Sequence, residues 1–230
     1  MLKALIFDVD GTLAETEELH RQAFNETFAA AGLAWHWTVD DYRRLLNTTG
    51  GKERIARHCA ETRASGVDIP ALHAAKTKRY TALMAAGGIA LRPGIAALLA
   101  SARAVGRRLA IATTTSRPNV EALALAIWGC PADGVFDVIA AGDEVAAKKP
   151  APDVYILALE RLDLRARECI ALEDSRNGLD AARRAGLACA VAPSVYTCGE
   201  DFAGALAVRS GFGDFGGLAG LSALLEGAGQ

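Results

Sequence analysis

Two aspartates at i and i+2, Asp8 and Asp10, follow an apolar run over residues 2–7, within Asp8-Val9-Asp10-Gly11-Thr12. In an extended segment such a pair projects to one side, so both carboxyls can serve one site while Val9 turns into the protein. A carboxylate is already ionised at neutral pH and needs no separate base to attack phosphorus, which gives an aspartyl-phosphate. Repulsion from an anionic phosphate is the obstacle, and a hard divalent cation with oxygen ligands removes it. Asp8, a backbone carbonyl in the Asp10 turn and Asp174 are suited to hold Mg²⁺. Hydroxyls of Thr113 or Thr114 and the ammonium of Lys149 suit the phosphoryl oxygens, where charge must be stabilised. Lys149 is preferred over Lys148 because Pro150 confines its backbone to an extended form. With Asp8, Asp10, Glu173 and Asp174 all ionised, the site carries roughly −4 against +3 from Mg²⁺ and one lysine. One carboxyl is therefore expected to stay protonated, and Asp10, as acid/base toward the leaving oxygen, is the candidate.

Each cluster alone has a plainer reading. The Asp-x-Asp turn can be an Asx turn, Glu173-Asp174-Ser175 and the threonine run can be helix N-caps, and Lys148-Lys149 can be solvated surface. Their positions relative to the predicted elements decide the matter. Strands are predicted over 2–7, 108–112, 138–141, 169–172 and 189–192, alternating after residue 93 with helices over 95–105, 152–162 and 178–185. Repeated βα units imply a parallel, doubly wound sheet, whose ligands bind at the carboxyl ends of the strands. All four clusters fall at or just beyond such ends. Between residues 15 and 88 there are only helical patterns, over 16–31, 39–46, 52–60 and 71–86. The expected organisation is thus an α/β core from 1–14 and 89–230 with a helical insert at 15–88, and a Gly-rich tail after Ser210 holding one terminal helix and some fraying.

The 230 residues, 51% apolar and 23% charged with a formal net charge of −2, fit a globular chain with a sizeable core and give no reason to expect nucleic acid. Alanine makes up about a fifth of the chain and aromatics 6%, which favours helices with small contact residues. The five cysteines show no zinc or disulfide spacing and are expected as buried thiols. No window approaches a membrane span and no signal peptide is visible, so a cytoplasmic protein is expected, with a monomer as the simplest state.

The four clusters, in this order, resemble the motifs of the haloacid dehalogenase (HAD) superfamily over roughly residues 2–192. The resemblance implies a Rossmann-like HAD core with Asp8 as nucleophile, Asp10 as general acid/base, Thr113 and Lys149 as the second and third motifs, and Glu173 with Asp174 as metal-site acids. The implied metal set is then Asp8, Asp10, Glu173 and Asp174. The helical insert resembles a C1 cap, a lid that excludes water. Thr16-Glu17-Glu18-Leu19-His20, Thr48-Thr49-Gly50-Gly51-Lys52-Glu53-Arg54, Lys76-Thr77-Lys78-Arg79 and Thr113–Asn119 together are similar to the CbbY-type phosphatases. That likeness implies a Mg²⁺-dependent phosphoric monoester hydrolase acting on xylulose-1,5-bisphosphate beside the Calvin cycle. It adds Glu17, Thr115, Ser116, Arg117 and Asn119 as substrate contacts. A bisphosphate requires a second cationic pocket, for which Lys52, Arg54, Lys76 and Arg79, with the Gly50 and Gly51 amides, are the candidates. His20 ranks below Glu17, and Tyr42 is read as packing. The rival enzyme reading is a β-phosphoglucomutase, which the same core motifs and Thr16-x-Glu18-x-His20 also resemble. A non-catalytic scaffold is the rival of another class, and would be expected to lack a nucleophile or metal ligand, which this sequence does not.

Overall fold

The structure is a computed structural model that describes residues 1–228. The elements run in chain order β1 (Ala4–Phe7), α1 (Glu17–Ala30), α2 (Val39–Leu45), α3 (Gly51–Thr62), α4 (Ile69–Ala85), α5 (Ile95–Ala104), β2 (Arg108–Ala112), α6 (Arg117–Trp128), β3 (Val138–Ala140), α7 (Asp153–Leu162), β4 (Cys169–Glu173), α8 (Arg176–Arg184), β5 (Ala188–Val191), β6 (Ala207–Val208) and α9 (Gly217–Ala228). The six strands form one parallel sheet in the order β3-β2-β1-β4-β5-β6. The chain winds outward from β1 to β3, then returns to the other side of β1 for β4. That reversal places the switch point of the sheet beside the end of β1.

Both faces of the sheet are covered, so its strands are apolar apart from Arg108 at the start of β2 and Glu173 at the end of β4. Alternation assigns Leu5, Phe7, Leu109, Ile111, Ile170 and Leu172 to one face, packed under α5, α6 and α9. Small residues, Ala4, Ala110, Ala112, Ala171 and Cys189, lie on the other, where α7 and α8 approach with Tyr155, Ala158, Leu179 and Ala182. The high alanine content thus serves close helix–sheet packing.

The insert is four helices, α1–α4, with their own apolar cluster of Phe24, Phe28, Trp37, Tyr42, Leu45, Ile55 and Leu72. The two chain crossings between insert and core run side by side, joined by a bridge between Ala14 and Leu91 and by the Arg92 amide donating to Leu13 O at 2.8 Å.

The structure shifts several expected details. Helix α4 begins at Ile69, not at residue 71, because Asp68 caps it by accepting from the Ala71 amide and Pro70 fits the first turn. Strand β6 was not foreseen, since two residues carry no period. The terminal helix is α9, and of the frayed end Gly229 and Gln230 lie outside the described residues. Cys169 and Cys189 are buried free thiols, Cys59 and Cys130 are half-buried, and Cys198 is exposed, contrary to the expectation for all five, because it sits on a surface turn. No helix among the described residues is long and apolar enough to cross a membrane.

Candidate active site

Strand register brings the acids together. Phe7 pairs with Leu172 on one side and with Ile111 on the other, so Asp8 emerges next to Glu173 and one residue short of Thr113. Lys149, from the loop before α7, lies between the carboxylates, its Nζ 2.6 Å from Asp8 Oδ1 and 2.6 Å from Glu173 Oε1. The Lys149–Pro150 peptide is cis. Tyr155 on α7 donates to the same Glu173 oxygen at 2.6 Å, and the Asp174 amide donates to the other at 3.2 Å. Both Glu173 oxygens are therefore occupied, and this residue chiefly fixes Lys149. Gly11 has φ +83°, and a Cβ there would stand 2.2 Å from Asp174 Oδ2, so only glycine lets the first loop pass this close to the fourth.

Oxygens of Asp8, Glu173 and Asp174 lie within 4.8 Å of one another, all buried. Burial raises the pKa of Asp8 well above the ordinary range, reinforced by Glu173 and Asp10 and opposed by Lys149. Burial likewise raises Asp174, with Asp8 and Glu173 adding repulsion. One ammonium does not balance these acids. An all-oxygen, buried and under-compensated set fits a hard divalent cation, with Asp8 and Asp174 as the residues to hold it.

Asp10 stands apart from that cluster and faces the insert. Its Oδ1 accepts from Thr16 Oγ1 at 2.5 Å and from His20 Nε2 at 3.0 Å. Lys76 Nζ donates in turn to His20 Nδ1, which places the imidazole proton on Nε2. His20 lies flat on Tyr80, with ring centroids 3.9 Å apart. Burial pushes Asp10 up, yet His20, Thr16 and Lys76 outweigh it and draw the carboxyl down to about 2. The expected protonated Asp10 is thus corrected: donors surround it, and the groups whose protonation is favoured are Asp8 and Asp174.

These acids open onto a cavity of about 450 Å³ between core and insert. Glu17, Gly50, Gly51, Lys52, Arg54 and Lys76 line its upper wall. Arg54 donates to Tyr42 OH at 2.8 Å, and Tyr42 donates to Glu17 at 2.8 Å, so Tyr42 orients two polar side chains as well as packing. Burial, followed by Arg54, lowers the Lys76 pKa to about 7 despite Asp10. Thr49 Oγ1 donates across the seam to Lys149 O.

On the core side Thr114, Thr115, Ser116 and Asn119 line the cavity, with Asn119 Nδ2 donating to Thr115 Oγ1 at 2.8 Å. Thr113 is not part of the lining; its buried hydroxyl accepts the Thr115 amide at 3.2 Å and shapes the loop. Two proposed binding residues lie elsewhere. Arg79 pairs with Glu26 on the surface, off the buried stripe Leu72, Lys76, Tyr80, Met84 of α4. Arg117 turns along α6 to Glu121 at 2.8 Å. Sequence reasoning missed His73, which lines the cavity and whose pKa burial, Lys76 and Lys52 lower to about 4, leaving it neutral at pH 7. Its spacing of three from Lys76 was an available signal. Tyr155 and Thr197 offered none, since their partners are distant in sequence.

Comparison with known proteins gives concordant matches. Residues 2–186 match the haloacid dehalogenase-like hydrolase family. Protein CbbY of Cereibacter sphaeroides is 60% identical over 223 residues, covering 96% of this chain and 97% of its own. A crystal structure of a CbbY mutant from Rhodobacter sphaeroides in complex with xylulose-(1,5)bisphosphate superposes with a TM-score of 0.93 at 59% identity, covering 96% of this chain and 99% of that one. A β-phosphoglucomutase from Clostridium difficile, at 18% identity and TM-score 0.82 over 99% of both chains, shares the fold.

Proposed function

Because this chain belongs to the haloacid dehalogenase-like hydrolase family and is a phosphatase, we propose that it hydrolyses xylulose-1,5-bisphosphate to xylulose 5-phosphate through an aspartyl-phosphate on Asp8. One observation carries this reading: a single cavity has Asp8 and Lys149 on one wall and Lys52, Arg54 and Lys76, beside Gly50-Gly51, on the other. Two anionic groups of one substrate then find separate partners. The bisphosphate held by the similar CbbY mutant supports the choice of sugar.

In the first half, an Asp8 oxygen attacks phosphorus and the bond to the sugar oxygen breaks. Lys149, already paired with Asp8, meets the phosphoryl oxygens, and the Thr114–Ser116 segment offers them hydrogen bonds. The leaving oxygen takes its proton from Asp10, which receives it from His20 Nε2, 3.0 Å away, as Lys76 Nζ passes a proton to His20 Nδ1. In the second half the ionised Asp10 takes a proton from the water that attacks the phosphoenzyme and returns it through His20 to Lys76. Mg²⁺, when held by Asp8 and Asp174, would supply Lewis-acid neutralisation of the carboxylate–phosphate repulsion. On this reading the enzyme acts as a cytoplasmic monomer beside the Calvin cycle.

A phosphate-release panel containing sugar mono- and bisphosphates tests the proposal. Highest kcat/KM for xylulose-1,5-bisphosphate is expected. Conversion of β-glucose 1-phosphate to glucose 6-phosphate, with a trace of bisphosphate and no free phosphate, would establish the mutase instead.

A further inference from the structure

One loop of the core, residues 192–197 after β5, touches the acid cluster, the second chain crossing and the insert. At its far end Thr197 Oγ1 shares its proton between Asp174 O at 2.7 Å and Asp174 Oδ2 at 3.2 Å, while accepting the Ser194 amide at 2.9 Å. The neighbouring Tyr196 points the other way. Its hydroxyl donates to Glu18 Oε2 on α1 at 2.5 Å, and its ring meets Tyr42 of α2 edge-on with centroids 5.7 Å apart. Among the described residues, Tyr196 is the one core residue that is a buried member of the insert's apolar cluster. The loop's start is held from the second crossing: Arg92 donates to Ala192 O and Pro193 O, each at 2.8 Å.

We propose that Tyr196 and Thr197 are positioning residues that couple the seating of the insert to the orientation of Asp174. The loop has little slack, because its start, middle and end are hydrogen-bonded to three separate parts of the chain, Arg92, Glu18 of α1 and Asp174. When the insert is seated on Tyr196, the next residue holds the Asp174 carboxylate beside Asp8; when Tyr196 loses its partners, Thr197 loses its register with Asp174. Groups that hold a metal ligand in place typically change metal affinity about 10–100-fold when they are removed. Closure of the lid would then set the metal site as well as exclude water.

This inference rests on Asp8 and Asp174 holding Mg²⁺, so the test reads Mg²⁺ binding without substrate. Calorimetric titration of the full chain with Mg²⁺ is made for the native protein, Tyr196→Phe, Thr197→Val, Thr197→Ser and the Tyr196→Phe/Thr197→Val double variant, with melting curves confirming folding. Thr197→Val is expected to raise Kd on the order of tenfold, and Thr197→Ser to restore most of it. Tyr196→Phe, which changes no atom near Asp174, is expected to raise Kd about threefold, an effect that vanishes in the Thr197→Val background. Glu18→Ala, altering the same contact from the other side, should match it. An unchanged Kd in Tyr196→Phe, or strict additivity in the double variant, overturns the coupling. Failure of the native chain to bind Mg²⁺ overturns the metal reading and this one together.

Discussion

The two walls of the cavity solve opposite electrostatic problems. On the core wall, three buried acids, Asp8, Glu173 and Asp174, share one ammonium, and all are placed by parallel strand ends or the turns that follow them. On the insert wall, Lys52, Arg54 and Lys76, beside a neutral His73, outnumber Glu17 and Glu53, and two of them are steadied through other side chains, Arg54 by Tyr42 and Lys76 by His20. The acidic wall suits a reaction in which a carboxylate must become a nucleophile with help from a cation. The basic wall suits holding an anion that does not react. Asp10 lies between them, attached to the core by its backbone and to the insert by His20 and Thr16.

If the core wall does the chemistry, its variants should act on kcat. Asp8→Asn should lower turnover by roughly 10⁴-fold or more with the fold retained, as single-turnover assays and melting would show. Asp10→Asn should cost about 10²–10⁴-fold, mostly in kcat, by removing the proton-transfer group. Chelation with EDTA should silence turnover, and added Mg²⁺ should restore it; activity that survives chelation would remove the need for a cation on the acidic wall.

If the insert wall binds, its variants should act on KM. Lys52→Ala and Arg54→Ala should raise KM for a bisphosphate about tenfold while changing that for a monophosphate much less. Arg79→Ala, whose charge is spent on Glu26, should leave both within about twofold. Equal losses for mono- and bisphosphates would erase the division between the walls.

The contrast also explains what was legible before the structure. The acidic wall could be read because a parallel sheet sends all its strand ends to one edge, so Asp8, Lys149, Glu173 and Asp174 converge as soon as the strands are recognised. Thr113 was harder, since a shift of one residue on a turning loop separates a shaping hydroxyl from the lining ones. On the insert wall, membership depends on helix phase. Lys76 falls in the four-residue stripe of α4 and Arg79 does not, yet both look alike as basic residues near a glycine loop. The ionised state of Asp10 was not legible, because it comes from His20 and Lys76 meeting across two helices.

A smaller effect sharpens the same contrast through pH. Lys76 has a folded pKa near 7, below its ordinary 10.5, so between these values the unfolded chain binds the extra proton. Stability contributed at this position should therefore rise with pH over that window, by no more than ~1.4 kcal/mol per pH unit. Chemical denaturation of the native chain and of Lys76→Met across pH 7 to 10 should show the rise in the first and a flatter curve in the second.

The central claim, covalent transfer to the core wall, is tested most directly by acid quenching during turnover of a sugar bisphosphate, followed by proteolysis and mass analysis. One phosphoryl group on the peptide carrying Asp8, absent from Asp8→Asn, is the expected result. A catalytically competent enzyme whose phosphoryl group appears on another residue, or on none at any time while phosphate is being released, would contradict it.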